Sequence, residues 1–172
     1  MSNKKLSKKE LSKSLVIKDI TGGFHEDTQH LVETIYHNFE HISNEPKLRH
    51  NRKEIKRLLT AEPMYGLLIY DKNERLVAYL MGEIIRLRTG KIVYYISYLF
   101  VASKFRQLGL ATSLLNIVFK KVQEWEIDGV MLICDTSDES LLNFYFKRGF
   151  SPDKTYRRNE RHDVLSHYIS KK

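Results

Sequence analysis

The sequence of 172 residues predicts one domain of mixed α/β class, in which an antiparallel run of strands leads into a βαβ crossover. Three observations predict this class. Apolar residues make up 42% of the chain, which is enough for a sizeable core. Segments with helical and strand-like apolar spacing follow one another in the order β-α-α-β-β-β-α-β-α-β-β. No internal repeat interrupts that order.

The first part of the domain is predicted to contain one strand and two helices. Residues 15–20 form the strand, which ends at a pair of glycines. Leu31, Ile35 and Phe39 recur at near-helical spacing and predict a helix that begins near residue 26. A second helix covers residues 52–59 and ends before a proline.

The middle of the domain is predicted to be three strands. Residues 65–70 and 76–85 are apolar runs on either side of a polar turn, which is typical of a β-hairpin. A second turn, at Gly90, leads into residues 92–101. This third run is long and rich in tyrosine, isoleucine and valine, so we expect a buried strand.

The crossover begins with a helix whose apolar face is formed by Leu110, Leu114, Val118 and Val122. A short buried strand follows at residues 130–134. The next helix covers residues 138–148, with polar residues that can cap its start and Gly149 placed to end it. Two short strands are expected in the polar C-terminal part, one near residue 155 and one at residues 164–169.

The formal net charge is +8 and the pI is about 9.5, which suits a nucleic acid, an acidic membrane surface or an anionic cofactor. Part of the excess lies in residues 1–14, which we interpret as a basic flexible tail before a domain at residues 15–172. A single cysteine, Cys134, is typical of a reducing compartment. The sequence has no apolar run long enough to span a bilayer and no signal-like start. These features predict a cytoplasmic protein.

Residues 98–115 form a strand, a loop and the start of a helix, and the loop region contains Gly109 and Ala111. The first N–H groups of such a helix lack an internal partner and lie at the positive end of its dipole. Small residues let an anion approach these groups closely, and Lys104 and Arg106 add charge. The pattern indicates an anion site, although a tight packing turn would have the same spacing. A GxGxxG fingerprint and a Walker A loop are both absent.

Two segments carry a resemblance to a known family. The loop Arg106-Gln107-Leu108-Gly109-Leu110-Ala111 fits the pattern Q/R-x-x-G-x-G/A and resembles the acetyl-CoA-binding motif of the GNAT superfamily of N-acetyltransferases. Residues 140–150, SLLNFYFKRGF, resemble that family's second segment, A-x-x-L-Y-x-K-x-G-F. One helix and one short strand separate the two motifs, as the family requires. The resemblance covers roughly residues 15–170.

The resemblance implies a central mixed, mostly antiparallel sheet with a splayed parallel pair, flanked by helices. Residues 98–101 would splay from residues 130–134, partly because of a bulge, and the pantetheine arm of acetyl-CoA would enter the gap. The pyrophosphate would bind the amides between Gln107 and Thr112 without a metal. The implied cofactor-binding residues are Leu99, Phe100, Val101, Arg106, Gln107, Leu108, Gly109, Leu110, Ala111, Thr112, Asp138, Ser140, Asn143 and Tyr145.

The resemblance also implies direct acetyl transfer in a ternary complex. Tyr145 would be the general acid, or a hydrogen-bond donor to the leaving thiolate; its alternative role is packing beside the neighbouring phenylalanines. Glu83 is the nearest carboxylate that could act as the general base, with Asp135 as a second candidate. Tyr95 and Ser97 hold the expected inward-facing places of the strand before the motif and are poor bases. A water chain, or an amine that binds already neutral, would also serve.

The sequence therefore predicts an acetyl-CoA-dependent N-acetyltransferase that acts on a primary amine of a small molecule, a protein N-terminus or a lysine. One alternative is a non-catalytic acyl-CoA-binding module, which the missing base and Asp138, in place of the family's usual asparagine, would suit. The other is a basic nucleic-acid-binding protein, for which the sequence offers no recognition-helix or base-stacking motif. We expect no membrane or specific nucleic-acid partner. Homodimers are common in the family, although the sequence identifies no interface.

Two polar clusters have a plainer interpretation. His30, His37 and His41 share a helix face, but His30 lies about two turns from His37, so a solvated face is favoured over a metal site. A second cluster is basic and consists of Arg157, Arg158, Arg161 and His162. We interpret it as a solvated loop; in the family this region borders the acceptor site, where it would favour an acidic acceptor.

Overall fold

The computed structural model of the chain describes residues 14–22, 28–42, 50–157 and 160–170. The elements appear in the predicted order and close to their predicted bounds: β1 (Val16–Thr21), α1 (Thr28–Ile42), α2 (Arg52–Thr60), β2 (Met64–Tyr70), β3 (Leu76–Arg86), β4 (Ile92–Val101), α3 (Leu110–Glu124), β5 (Gly129–Asp135), α4 (Glu139–Phe146), β6 (Ser151–Arg157) and β7 (His162–Tyr168). A short 3₁₀ turn, Ser103–Phe105, lies between β4 and α3. The expected basic tail lies outside the described residues, apart from Ser14.

The strands form one seven-stranded sheet in the order β1-β2-β3-β4-β5-β7-β6. Strands β4 and β5 are parallel, and the other neighbouring pairs are antiparallel. Helix α3 connects the two parallel strands, which is the crossover that the sequence predicts. The mixed, mostly antiparallel sheet is thereby confirmed.

The parallel pair separates toward the carboxyl ends of its strands. In the described residues, β4 and β5 pair from Val93↔Gly129 to Tyr95↔Met131 and no further. Strand β4 nevertheless continues to pair with β3 as far as Val101. The two strands therefore diverge over the last part of β4, and the splayed pair that the resemblance implies is present.

A bulge in β4 accompanies this divergence. The register of β3 with β4 passes from Met81↔Tyr98 to Gly82↔Ile96, so Ser97 is an extra residue. Such an insertion reverses the alternation of side chains along the strand. Residues after the bulge therefore lie on the opposite face from the one that regular alternation would give them.

The two faces of the sheet have separate apolar cores. Helices α3 and α4 cover one face, where Tyr94, Ile96, Leu114, Val118 and Tyr145 belong to the same buried cluster. We call this face the α3–α4 face. The apolar residues of α3 recur at helical spacing, so they lie on one side of the helix, and this side packs against the sheet.

Helices α1 and α2 cover the opposite face, which we call the α1–α2 face. Its main cluster includes Leu31, Ile35, Ile55, Tyr79 and Tyr98. A smaller cluster beside it surrounds residues at the paired ends of β4, β5 and β7. Because both faces are covered, the central strands are buried on both sides, as the apolar composition of β4 predicts.

Helix α2 begins with a reciprocal capping arrangement. The Asn51 side chain accepts a hydrogen bond from the Glu54 amide at 3.0 Å, and the Glu54 carboxylate accepts one from the Asn51 amide at 2.8 Å. This cap fixes where the helix starts and hence where the preceding residue, His50, lies. Within the described residues, no helix is both long and apolar enough to cross a bilayer.

Candidate functional site

The loop between β4 and α3 has an unusual backbone. Gln107 and Gly109 both have positive φ, at 64° and 77°, so the chain takes two left-handed steps before the helix begins. Gly109 is the N-cap of α3 and has no side chain that could accept from the first amides of the helix. Those amides, on residues Leu110 to Thr112, lie at the positive end of the helix dipole. The loop thus has the geometry of an anion site.

The backbone conformation at position 109 favours glycine, whereas crowding by neighbouring atoms has no part in it. A Cβ atom built there would meet no atom of the described residues within 4 Å. An L side chain at φ 77° is strained, and it would also extend into the open space in front of the loop. Gly90, in the turn between β3 and β4, has φ 85° and equally open surroundings, so it offers a matched comparison without a binding role.

Arg106 has a structural contact that the sequence does not reveal. Its Nε atom donates to the carbonyl oxygen of Val101 at 3.1 Å. The side chain therefore holds the loop against the end of β4. Lys104, in the 3₁₀ turn, is exposed, and the predicted role of these two basic groups in binding an anion stays a prediction.

Arg148 is a residue at this site that sequence reasoning missed. Its Nε atom donates to the Thr112 hydroxyl at 3.2 Å, and Nη2 contacts the same oxygen. Its Nη1 atom donates to the Phe144 carbonyl at 2.6 Å, and the guanidinium lies over the Phe144 ring at 3.6 Å. Arg148 thus joins the end of α4 to the first turn of α3. The only sequence signal is a basic residue near a helix C-terminus.

Tyr145 is buried on the α3–α4 face. Its ring makes edge contacts with Phe144 and Phe150, at 5.2 and 5.4 Å between centroids, so the packing role is real. Burial raises the pKa of the Tyr145 hydroxyl well above its usual value, with the nearby Cys134 adding to the effect. The phenol therefore keeps its proton at neutral pH and can act as a donor but not as a base.

Cys134 lies on the same face of β5 and is a poor nucleophile. Burial raises the pKa of its thiol to about 11, and the charges of Asp138 and Asp135 act in the same direction. At neutral pH the reactive thiolate is therefore scarce. Because Cys134 is the only cysteine in the sequence, chemistry through an acylated cysteine is disfavoured.

The N-cap of α4 and residues 139–143 of the helix contain three of the expected cofactor-binding residues. Asp138 is the N-cap, and its Oδ1 atom accepts from the Leu141 amide at 2.9 Å. Its carboxylate is thus used in capping, as the sequence allows. Ser140 and Asn143 are exposed on the helix. Leu99 and Val101 contact the α3–α4 core, whereas Phe100 stacks on Tyr79 on the opposite face.

The two candidate bases both lie on the α1–α2 face. Glu83 is opposite Tyr95 in the register, and its carboxylate pairs with Nη2 of Arg57 at 3.3 Å. Asp135 ends β5 and accepts hydrogen bonds from the Ser137 hydroxyl at 2.6 Å and from its amide at 2.8 Å. The hydrogen bond from the Ser137 hydroxyl has the largest effect and the one from its amide the next; together they hold the pKa of Asp135 below its usual value. The positive charge of Arg161 lowers this pKa further.

The bulge also changes which residues accompany these groups. Tyr95 is opposite Glu83 and Tyr98 is opposite Met81, two residues earlier on β3, so both tyrosines lie on the α1–α2 face. Ser97, expected at an inward-facing place, is instead the bulged residue. Tyr98 was not a predicted site residue. Its hydroxyl contacts Nδ1 of His50, which lies 48 positions earlier, and no local pattern connects the two.

The connection between β6 and β7 is tied to the end of β5. The Thr136 amide and hydroxyl both bond to the Arg161 carbonyl oxygen, at 2.8 and 2.9 Å. The Arg161 guanidinium lies 3.8 Å from the Asp135 carboxylate. Of the predicted basic cluster, Arg161 therefore has an acidic partner. Arg158 and the side chain of Arg157 lie outside the described residues.

The histidine face of α1 has no metal-binding geometry in the described residues, where three or more His, Cys, Asp or Glu side chains do not converge anywhere. Glu33 instead pairs with Arg52 at 2.8 Å and lies 3.7 Å from His37. The side chain of His41 is outside the described part of the chain.

Comparisons with known proteins agree with this geometry. The sequence model of the acetyltransferase (GNAT) family matches residues 29–150. A search of curated proteins finds no match. A NatC complex bound to Gag peptide and CoA superposes on the fold with a TM-score of 0.70 and 21% identity, covering 91% of this chain and 99% of that chain.

Two plant structures are also similar. Arabidopsis thaliana Naa50 in complex with the bisubstrate analogue CoA-Ac-MVNAL has a TM-score of 0.66 and 21% identity, covering 91% of this chain and 99% of that chain. Arabidopsis thaliana NAA60 in complex with acetyl-CoA has a TM-score of 0.64 and 16% identity, covering 90% of this chain and 99% of that chain. At these identities the similarity establishes the fold alone.

Proposed function

Because this chain belongs to the GNAT family of acetyltransferases, we propose that it transfers an acetyl group from acetyl-CoA to a primary amine of a peptide or protein. The observation that carries the proposal is the divergence of β4 and β5 directly beside the first turn of α3. Ligands of α/β sheets bind outside the carboxyl ends of parallel strands, and here that crevice adjoins a helix N-terminus suited to phosphates.

The fit to coenzyme A rests on the loop residues. The open space in front of Gly109 would admit phosphate oxygens to the amides from Gln107 to Thr112. Arg106 holds the loop in place, and Arg148 supports the first helical turn through Thr112. The gap between the diverging strands would take the extended pantetheine arm along Leu99 to Val101.

Acetyl-CoA supplies an activated thioester, and we assign the remaining chemistry to positioning and proton transfer. Tyr145 keeps its proton because it is buried, and it would donate that proton, or a hydrogen bond, toward the departing sulfur. The high pKa of Cys134 favours direct attack by the amine over a route through an acylated cysteine. One cysteine in the sequence also supports a reducing, cytoplasmic setting.

A peptide or protein acceptor is supported by the similar structures named above, two of which contain a Gag peptide or a peptide-based bisubstrate analogue. On this chain the α1–α2 face carries two carboxylates, Glu83 and Asp135, which would accept hydrogen bonds from an amine although each lies near an arginine. We therefore place the acceptor on this face, opposite the coenzyme's phosphates.

The test measures binding and transfer separately. Acetyl-CoA should stabilise the protein in a thermal-shift titration, since a ligand that binds the folded state raises its melting temperature. Release of the CoA thiol should then occur with peptides that have a free N-terminus. Two matched peptides distinguish an N-terminal amine from a lysine amine: one is blocked at the N-terminus, and the other is blocked there but contains a lysine. Small amines form a third arm of the experiment.

The outcomes separate the alternatives. Thiol release with a free peptide, together with an acetylated product by mass spectrometry, supports the proposal. Stabilisation by acetyl-CoA without release for any amine would identify a non-catalytic acyl-CoA-binding module. No stabilisation by acetyl-CoA would overturn the coenzyme site itself.

A further inference from the structure

A buried tyrosine and an exposed histidine meet on the α1–α2 face. The Tyr98 hydroxyl contacts Nδ1 of His50, and the two rings pack edge to face at 5.3 Å between centroids. Tyr98 is 2% exposed, whereas His50 is open to solvent. Tyr98 also lies in the divergent part of β4, directly after the bulge. The backbone of Tyr98 thus lies beside the gap between the strands, and its hydroxyl contacts a residue at the surface.

The surroundings of Tyr98 decide what it can do alone. Burial raises the pKa of its hydroxyl well above the usual value, and Glu54 acts in the same direction. Arg57 opposes this effect, and the neighbouring Tyr79 and Tyr95 add to it. A phenol in this setting does not give up its proton unless it receives another. His50 is the group placed to take that proton, since Nδ1 accepts a hydrogen bond in the tautomer protonated at Nε2.

We propose that Tyr98 and His50 form a proton relay that deprotonates the acceptor amine, an inference that rests on the proposed acetyl transfer. One N–H bond of the ammonium breaks, and its electron pair stays on nitrogen. The proton moves to the Tyr98 oxygen while the hydroxyl proton of Tyr98 moves to Nδ1 of His50. Tyr98 is neutral before and after the step, and the resulting imidazolium releases one proton to water. The amine is then free to attack the thioester.

The two carboxylates nearby suit this role less well. Glu83 is held by Arg57, and the low pKa of Asp135 makes it a weak base. Histidine is the side chain best suited to exchanging protons near neutral pH, which fits it to the proton-accepting end of a relay. The relay therefore supplies the base that sequence reasoning could not find.

Three variants test the relay: Tyr98→Phe, His50→Gln and the double variant. Each single change should lower kcat by about 100-fold, within the range for general base catalysis, while leaving acetyl-CoA affinity unchanged. The double variant should be no slower than either single one, because both changes break the same path. Tyr79→Phe is the control, since it removes another buried hydroxyl from the same face and should keep wild-type kcat.

The pH profile gives an independent readout. Wild-type kcat/KM should have an acidic limb on which protonated His50 can no longer accept a proton, and His50→Gln should lose that limb. Three results would overturn the relay while leaving the proposed transfer intact. They are an unchanged kcat in Tyr98→Phe and His50→Gln, losses that multiply in the double variant, and an equal loss in Tyr79→Phe. A wild-type protein that binds acetyl-CoA but acetylates no amine would overturn both.

Discussion

The two faces of the sheet differ in how their candidate site residues are distributed along the chain. On the α3–α4 face they come from two continuous segments, the loop that starts α3 and the helix α4 with its following turn. On the α1–α2 face they come from places far apart in sequence, including His50, Arg57, Glu83, Tyr98 and Asp135. The proposed coenzyme site is thus local in sequence, whereas the proposed acceptor side is assembled by the fold.

The largest effect that would test this comparison concerns the α3–α4 face. Tyr145→Phe should lower kcat by about 100-fold, because it removes the protonated hydroxyl while keeping the ring that packs against Phe144 and Phe150. Acetyl-CoA affinity and melting temperature should change little. Steady-state kinetics beside a binding titration measures both. Unchanged turnover would reduce Tyr145 to a packing residue.

A smaller effect is expected at the loop glycine, where binding rather than chemistry should respond. Gly109→Ala should weaken acetyl-CoA binding by about 30-fold, which corresponds to about 2 kcal/mol. Gly90→Ala is the matched control: both positions have positive φ and open surroundings, so both changes should destabilise the fold by a similar ~1–2 kcal/mol.

Calorimetric titration and thermal unfolding of the two glycine variants distinguish strain from binding. Equal coenzyme affinity in both would mean that the loop is only a turn. A loss confined to Gly109→Ala would support the anion site.

The smallest effect belongs to the end of β5 on the α1–α2 face. Because the pKa of Asp135 is lowered in the folded protein, its ionised form stabilises the fold above its ordinary pKa of about 3.9, and that stabilisation is lost as the pH falls through the lower folded value. Asp135→Asn should therefore cost about 1 kcal/mol at pH 7.

Denaturant unfolding of Asp135→Asn and the wild type at a series of pH values checks this dependence. The difference in free energy of unfolding should shrink as the pH falls below about 4. A difference that does not vary with pH would show that the carboxylate charge has no part in holding this end of the strand.

The sequence was sufficient for most of the fold and for the position of the loop that precedes α3. The apolar spacing in α3 and the run of β-branched and aromatic residues in β4 predict those elements because burial alone dictates their pattern. The loop at Gly109 was found because backbone amides at a helix start need small residues nearby. The predicted roles of Tyr145 and of the loop residues stay predictions until they are tested.

The remaining contacts could not be predicted, because they depend on which side chains the tertiary structure brings together. Thr112 lies on α3 and Arg148 lies just after α4, and the two meet only when α3 and α4 pack on the same face. The contact of His50 with Tyr98 requires both the helix cap at Asn51 and the bulge at Ser97. The sequence around Ser97 carries no glycine or proline that would mark the insertion.

The inserted residue in β4 changes which residues of the strand face each side of the sheet. Before it, even-numbered residues such as Tyr94 and Ile96 join the core under α3; after it, odd-numbered residues such as Leu99 do. Deleting Ser97 would restore a single parity and exchange the faces of every residue from 98 to 101. Tyr98 would then point under α3, away from His50, while Leu99 turned toward the α1–α2 face. One extra residue thus places neighbouring side chains of a single strand on opposite faces of the sheet.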